Sequence, residues 1–119
     1  MIEPHELGKL GEELAAEYLI KKGYQILERN WHSGHKEIDI IALDDTTLVV
    51  AEVKTRKSDD YGEPDIAVGR DKQRYLIWAA DAYVRKRQLD VDVRFDIVSI
   101  VISDGEPEIE HIEDAFIVT

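Results

Sequence analysis

Residues 37–56 read EIDIIALDDTTLVVAEVKTR, and how this stretch pairs with itself decides the fold. Its two halves alternate with the period of two that marks a β-strand, and the polar quartet Asp44–Thr47 separates them. In the first half Glu37, Asp39 and Ile41 share a face, with Ile38, Ile40 and Ala42 on the other. In the second half Glu52, Lys54 and Arg56 share a face, opposed by Ala51, Val53 and Thr55. A four-residue hairpin loop at Asp44–Thr47 pairs Leu43 with Leu48, and therefore sets Asp39 opposite Glu52 and Glu37 opposite Lys54.

Directly opposed residues have Cβ atoms about 4.5–5.5 Å apart, where like charges repel. Two facing carboxylates are tolerated when a cation sits between them. Mg2+ (or Mn2+) fits, because such an ion takes one or two carboxylates and keeps several waters. Asp39 and Glu52 are thus the candidate metal ligands. Lys54, two residues along the same face, is placed to touch a metal-bound water or a phosphate. Glu37 either supports these groups from behind or pairs across the strands with Lys54. A slip of one residue would turn one strand's whole set away and remove the site.

The chain has 119 residues, the length of one domain, with 44% hydrophobic and 34% charged residues. It has no cysteine, which excludes disulfides and thiolate metal sites and suits a reducing cytosol. The first residues lack a basic, apolar signal segment, and no apolar run approaches the ~18–20 residues that span a bilayer. These features lead us to expect a cytoplasmic protein with no membrane association.

The net charge of -11 opposes nucleic-acid binding, which depends on phosphate neutralisation by Lys and Arg. The acidity is uneven, however. Residues 1–89 hold 17 acidic and 14 basic residues, whereas residues 90–119 hold 9 acidic residues and one basic. Positive charge clusters at Lys54, Arg56 and Lys57, at Arg70, Lys72 and Arg74, and at Arg85, Lys86 and Arg87. Each cluster reads either as a solvated face or as a phosphate contact. Arg56 and Lys57 favour contact because they adjoin the candidate metal site.

Residues 5–22 carry Leu7, Leu10, Leu14, Ala15, Tyr18 and Leu19 at helical spacing, which predicts an amphipathic helix stopped by Gly23. Gly8 and Gly11 sit inside it at about 1 kcal/mol each relative to Ala, which predicts a close backbone approach. Glu12 falls at the edge of the apolar stripe, either as an ordinary boundary residue or as a carboxylate reaching over the sheet. A short strand follows over residues 24–31, then a turn at residues 32–36. His32 and His35 lack a third ligand or helical spacing, and read as turn residues. The loop from Lys57 to Gly69 borders the substrate face, with Tyr61 free to stack on a base or to pack the loop. A second helix is predicted over 70–88, with Tyr75, Leu76, Ala79, Ala80, Tyr83 and Val84 on its stripe and Trp78 widening it. Residues 91–102 form a strongly β-branched strand in which Asp96 reads as structural, paired with Arg94. Residues 108–112 read as an edge strand guarded by its charges. Asp114 is placed to cap a last turn over residues 115–118.

Several stretches resemble one family in order. They are Gly8-Lys-Leu-Gly11-Glu12-Glu-Leu-Ala15, Glu37-Ile-Asp39-Ile-Ile-Ala42, Glu52-Val-Lys54-Thr-Arg56, Gly62-Glu-Pro64, Lys72-Gln73 and Arg94-Phe95-Asp96. Asp39, a hairpin and Glu52-Val53-Lys54 look like the PD-(D/E)xK core of the restriction-endonuclease-like superfamily. The wider pattern resembles the YraN-like family of small predicted nucleases, similar to archaeal Holliday-junction resolvases. At Lys36 the family more often has Gly. The resemblance implies a mixed central sheet flanked by helices in the order α-β-β-β-α-β-β, in a single domain over 1–119. It implies Glu12 as a third acid of the metal site and Lys72 and Gln73 as substrate-binding residues. It also implies a metal-dependent nuclease on DNA, with a homodimer as the assembly. The alternatives are a nucleic-acid-binding module without catalysis, and a protein-interaction domain using the acidic C-terminal quarter.

Overall fold

The hairpin predicted over residues 37–56 forms with the predicted register: Ile40 pairs with Ala51, Ile41 with Val50, Ala42 with Val49 and Leu43 with Leu48. The pairing continues through Asp44 and Thr47, so the loop is the two residues Asp45 and Thr46 rather than four. The correction adds one pair symmetrically and leaves the register intact. Asp45 makes the tight turn with a positive φ of 56°.

The computed structural model describes residues 3–58 and 67–116. Tyr61 and the Gly62–Pro64 motif lie outside the described residues, as do the last residues of the turn expected over 115–118. The elements run α1 (Pro4–Lys21), β1 (Gln25–Ser33), β2 (Lys36–Asp44), β3 (Thr47–Lys57), α2 (Arg70–Arg87), β4 (Asp92–Ile102) and β5 (Glu108–Phe116). This is the expected order. Strand β5 is longer than expected, and Ala115 and Phe116 belong to it rather than to a closing turn.

All five strands form one sheet in the order β1-β2-β3-β4-β5. The pairs are antiparallel except β3 with β4, which run parallel because α2 carries the chain back across the sheet. Central strand β3 is consequently a run of buried residues, Leu48 to Glu52. Helix α1 covers one face through Ala15, Ala16 and Leu19, against Ile40, Ala42, Val49, Ala51, Val98 and Ile100. Helix α2 covers the other through Leu76, Ala79, Ala80 and Tyr83, against Ile41, Leu48, Val50, Phe95 and Ile97.

Helix α1 begins at Pro4, where a missing N–H costs nothing, and ends at Lys21, with Gly23 just past its cap taking a φ of 99° that only glycine adopts without strain. Of its interior glycines, Gly11 alone explains itself by contact. A Cβ there would stand 1.9 Å from Thr55 Oγ1 on β3, whereas at Gly8 it would meet nothing within 4 Å among the described residues. Trp78, expected to widen the buried stripe of α2, is 61% exposed instead. The stripe turns past it, so its ring faces solvent.

Asp96 has the structural role expected and more partners than expected. It accepts two hydrogen bonds from Arg94 at 2.9 Å each, one from the Asp114 N–H at 3.0 Å and one from His111 Nε2 at 2.7 Å. Burial alone would raise its pKa. The bonds from His111, Arg94 and Asp114 outweigh burial and hold it at about 2. This buried node ties β4 to β5.

Candidate metal centre

The acidic residues meet where β2 and β3 part. The paired ladder stops at Ile40–Ala51, one step before Asp39 and Glu52. Beyond it Asp39 Oδ2 accepts the Val53 N–H at 2.9 Å, so a side chain holds the fork. The expected opposition of Glu37 and Lys54 lies past the end of the ladder. Glu37 instead meets His32 Nε2 of β1 at 3.2 Å.

The alternation of β2 also breaks here. Ile40 packs under α1, while Ile38 packs with Ile41 under α2, so the expected shared face of Ile38 and Ile40 does not form. The irregularity coincides with Asn30 on β1, which lies between the pairs Arg29–Ile40 and Trp31–Ile38 and has a φ of 51°. Asparagine tolerates this left-handed conformation better than other side chains of its size. Its amide donates to Glu12 Oε1 at 3.0 Å. Glu12 arrives from α1, which the missing side chain at Gly11 allows to lie against Thr55.

Glu12, Glu37 and Asp39 each offer an oxygen within 4.8 Å of the others. Adjacent ligands of an octahedral Mg2+ with bonds of about 2.1 Å lie about 3 Å apart, so the three oxygens would have to draw closer to hold one ion. Glu52 stands beside Asp39 and is 4% exposed. Its Oε2 meets the Lys72 ammonium, and its Oε1 is buried with no hydrogen-bond partner among the described residues. A buried carboxylate oxygen without a donor carries a desolvation cost of about 1–3 kcal/mol or more. Hard carboxylate oxygens and one orphaned lone-pair set suit a divalent hard cation.

The electrostatics agree. Burial, and after it the negative charge of Glu52, pushes the Asp39 carboxyl up to about 8, against the opposing pull of the Val53 N–H. The pKa of Lys72 is raised as well, for a different reason. Burial disfavours its ammonium, but the hydrogen bond and charge of Glu52, then Asp39 and Glu37, outweigh this and raise its pKa. A cavity of about 450 Å³ opens over the fork, lined by Lys36, Glu37, Asp39, Asp71, Lys72 and Tyr75.

The fold thus brings Glu12, Asp39, Glu52 and Lys72 together. Lys54 lies half-buried two residues beyond Glu52, with Ser99 of β4 alongside. Arg56 and Lys57 continue β3 beside Val101 and Ile102, at greater distance along the strand. Gln73 turns inward, and its Nε2 donates to the Val68 carbonyl at 2.7 Å, closing the start of α2. Glu37 belongs to the cluster more directly than its expected supporting role, a position its shared face with Asp39 had signalled. Asn30 left no signal beyond its residue type.

A mixed five-stranded sheet with one helix on each face, in the order α-β-β-β-α-β-β, makes this an α/β protein, consistent with the restriction-endonuclease-like architecture expected. A sequence model of an uncharacterised protein family, UPF0102, matches residues 11–100. The chain belongs to this family, which is the YraN-like family that the sequence resembles. It is 53% identical to a UPF0102 protein of Phocaeicola vulgatus over 98% of this chain and 96% of that one. It is 46% identical to one of Bacteroides thetaiotaomicron over the same shares, and 48% identical to one of Flavobacterium psychrophilum over 98% of both chains. These names assign no activity. Among the described residues no helix is long and apolar enough to cross a membrane.

Proposed function

We propose that this protein is a metal-dependent nuclease that hydrolyses phosphodiester bonds of DNA, with Mg2+ or Mn2+ as its cofactor. The observation that carries the reading is the orphaned oxygen of buried Glu52 beside Asp39 at the fork. A buried acceptor without a donor calls for a partner, and a divalent cation displacing the proton that Asp39 shares with Glu52 is the one this reading supplies. Asp39, Glu52 and Glu12 would hold the ion, although the oxygens that already lie within 4.8 Å of one another are those of Glu12, Glu37 and Asp39. When bound, a divalent ion lowers the pKa of water and neutralises charge developing on the phosphoryl group.

The protein's own residues do the rest. Lys54 presents an ammonium along the same strand, to orient the attacking water or contact a phosphate oxygen. Lys72 is held on Glu52 and becomes available to phosphate when Glu52 takes another cation. Arg56 and Lys57 extend positive charge along β3. Gln73 acts on position by fixing the first turn of α2, from which Lys72 projects. A branched or junction DNA acted on by a pair of chains is the form of the reaction that the family resemblance favours.

The test is cleavage of labelled duplex, single-stranded, flap and four-way-junction DNA with Mg2+ or Mn2+, beside the Asp39→Asn variant. Cleavage by the parent and none by the variant supports the assignment. Equal activity in both would sink it.

One observation favours a second reading, a binding or interaction module without catalysis. Lys72 already supplies Glu52 with a positive partner, so the fork has some neutralisation of its own. That reading predicts no uptake of Mg2+ or Mn2+ in a calorimetric titration.

A further inference from the structure

Trp78 is 61% exposed, more than any other large apolar side chain among the described residues. It does not stand alone. Tyr75, one helical turn earlier on α2, has its ring centre 6.4 Å away at an angle of 40°. Tyr75 in turn lines the cavity over the fork together with Asp39, Glu37 and Lys72. Its hydroxyl donates to the Ser33 carbonyl at 3.3 Å, and the Lys36 ammonium lies 5.2 Å from its ring centre. The ring is therefore held in place, beside both the carboxylates and two cations. From the fork outward, α2 presents an ammonium at Lys72, a fixed ring at Tyr75 and an open ring at Trp78.

We propose that Tyr75 and Trp78 form a stacking ledge for an unpaired base next to the phosphate at the fork, so that the substrate carries a single-stranded stretch at the site. This deepens the nuclease reading and rests on it. Bases inside a duplex are stacked on each other and offer no face to a side chain, whereas an unpaired base does. Stacking is also the affinity source an acidic protein needs, because it does not depend on net positive charge. Continuity with the fork cavity through Tyr75 is what favours a nucleic-acid base over a protein as the occupant. The apolar groove beyond Trp78, formed with Ile77, Val84, Val91, Val93 and Phe95, is where a protein partner would sit instead.

The experiment measures binding of a labelled oligothymidylate and of a fully paired duplex to the full chain, by fluorescence anisotropy with Ca2+ in place of Mg2+. The parent is compared with Trp78→Ala, Trp78→Phe and Trp78→Leu, all at a site that is 61% exposed. The ledge predicts that Trp78→Ala weakens single-strand binding about 10-fold and duplex binding by less than about 2-fold. Trp78→Phe should keep most of the affinity, and Trp78→Leu should not. Unchanged single-strand affinity in Trp78→Ala, with Asp39-dependent cleavage intact, would overturn the ledge and leave the nuclease standing. Full affinity in Trp78→Leu, or loss of self-association in Trp78→Ala without change in DNA binding, would overturn it in favour of a protein contact. Absence of DNA binding by the parent, together with absence of cleavage, would remove both.

Discussion

The Lys72 ammonium on α2 rests against Oε2 of Glu52 on β3, a carboxylate proposed to hold the ion. The carboxylate comes from β3 and the cation from α2, the crossover helix that makes β3 and β4 parallel. Removing the ammonium therefore has opposite effects with and without metal. In Lys72→Met, Glu52 loses its partner, and stability in EDTA should fall by about 1–3 kcal/mol in urea unfolding. Affinity for Mn2+, measured by calorimetry, should rise about tenfold because nothing competes for the carboxylate. Cleavage should fall. An unchanged Mn2+ affinity would mean that the ammonium and the ion do not share Glu52.

Stability should depend on pH through Asp39. Burial and the Glu52 charge raise this carboxyl from its ordinary 3.8 to about 8. The folded chain then keeps a proton that the unfolded chain releases, and the corresponding stability is complete below about pH 4. It is lost as the pH rises toward 8, at up to about 1.4 kcal/mol per unit. Asp39→Asn should flatten that slope relative to the parent in metal-free urea titrations at pH 4 to 8, and Mg2+ should flatten it in the parent. Parallel curves for parent and variant would count against a proton held at the fork.

Gly8 and Gly11 make a matched pair. Both lie inside α1, where Ala is intrinsically better by about 1 kcal/mol. Gly8→Ala should gain about 0.5–1 kcal/mol, since the added methyl meets nothing within 4 Å among the described residues. Gly11→Ala should lose about 1–3 kcal/mol, since the methyl strikes Thr55 and lifts the helix from β3. The same displacement carries Glu12 away from Asp39, so metal affinity should drop in Gly11→Ala alone. Thermal melts and calorimetry on the two variants decide it.

Asp96 is a control for the fork. With a fully buried carboxylate serving Arg94 and His111, Asp96→Ala should cost about 3–5 kcal/mol. Its pKa is held at about 2, so this stability is present above about pH 4 and is lost as the pH falls toward 2. Metal affinity per folded molecule should be unchanged, as measured by calorimetry at a temperature where the variant remains folded.

The order of elements and the register of the central hairpin were legible because both depend on local periodicity. The alternation over residues 37–56 contained its own pairing rule, and the two extra paired residues at the loop did not disturb it. The same alternation put Asp39 and Glu52 forward, whereas Glu12 came from the family resemblance and not from periodicity. What the pattern could not carry was contact between elements. Nothing local marks Lys72 as the partner of Glu52, because α2 and the crossover set that distance. The exposure of Trp78 was hidden too, since an aromatic at the margin of a stripe fits either side. The break at Ile38 coincides with a left-handed Asn30 on a neighbouring strand, which no period-two reading of β2 contains.

The placement of the counter-ion on α2 also has a consequence in time. Synthesis proceeds through Glu12, Asp39 and Glu52 before it reaches Lys72, so α1 to β3 are made while the ammonium is still to come. The growing chain holds the negative half of the fork first. Its internal cation is the last piece delivered, on the same helix whose arrival lets β4 close against β3.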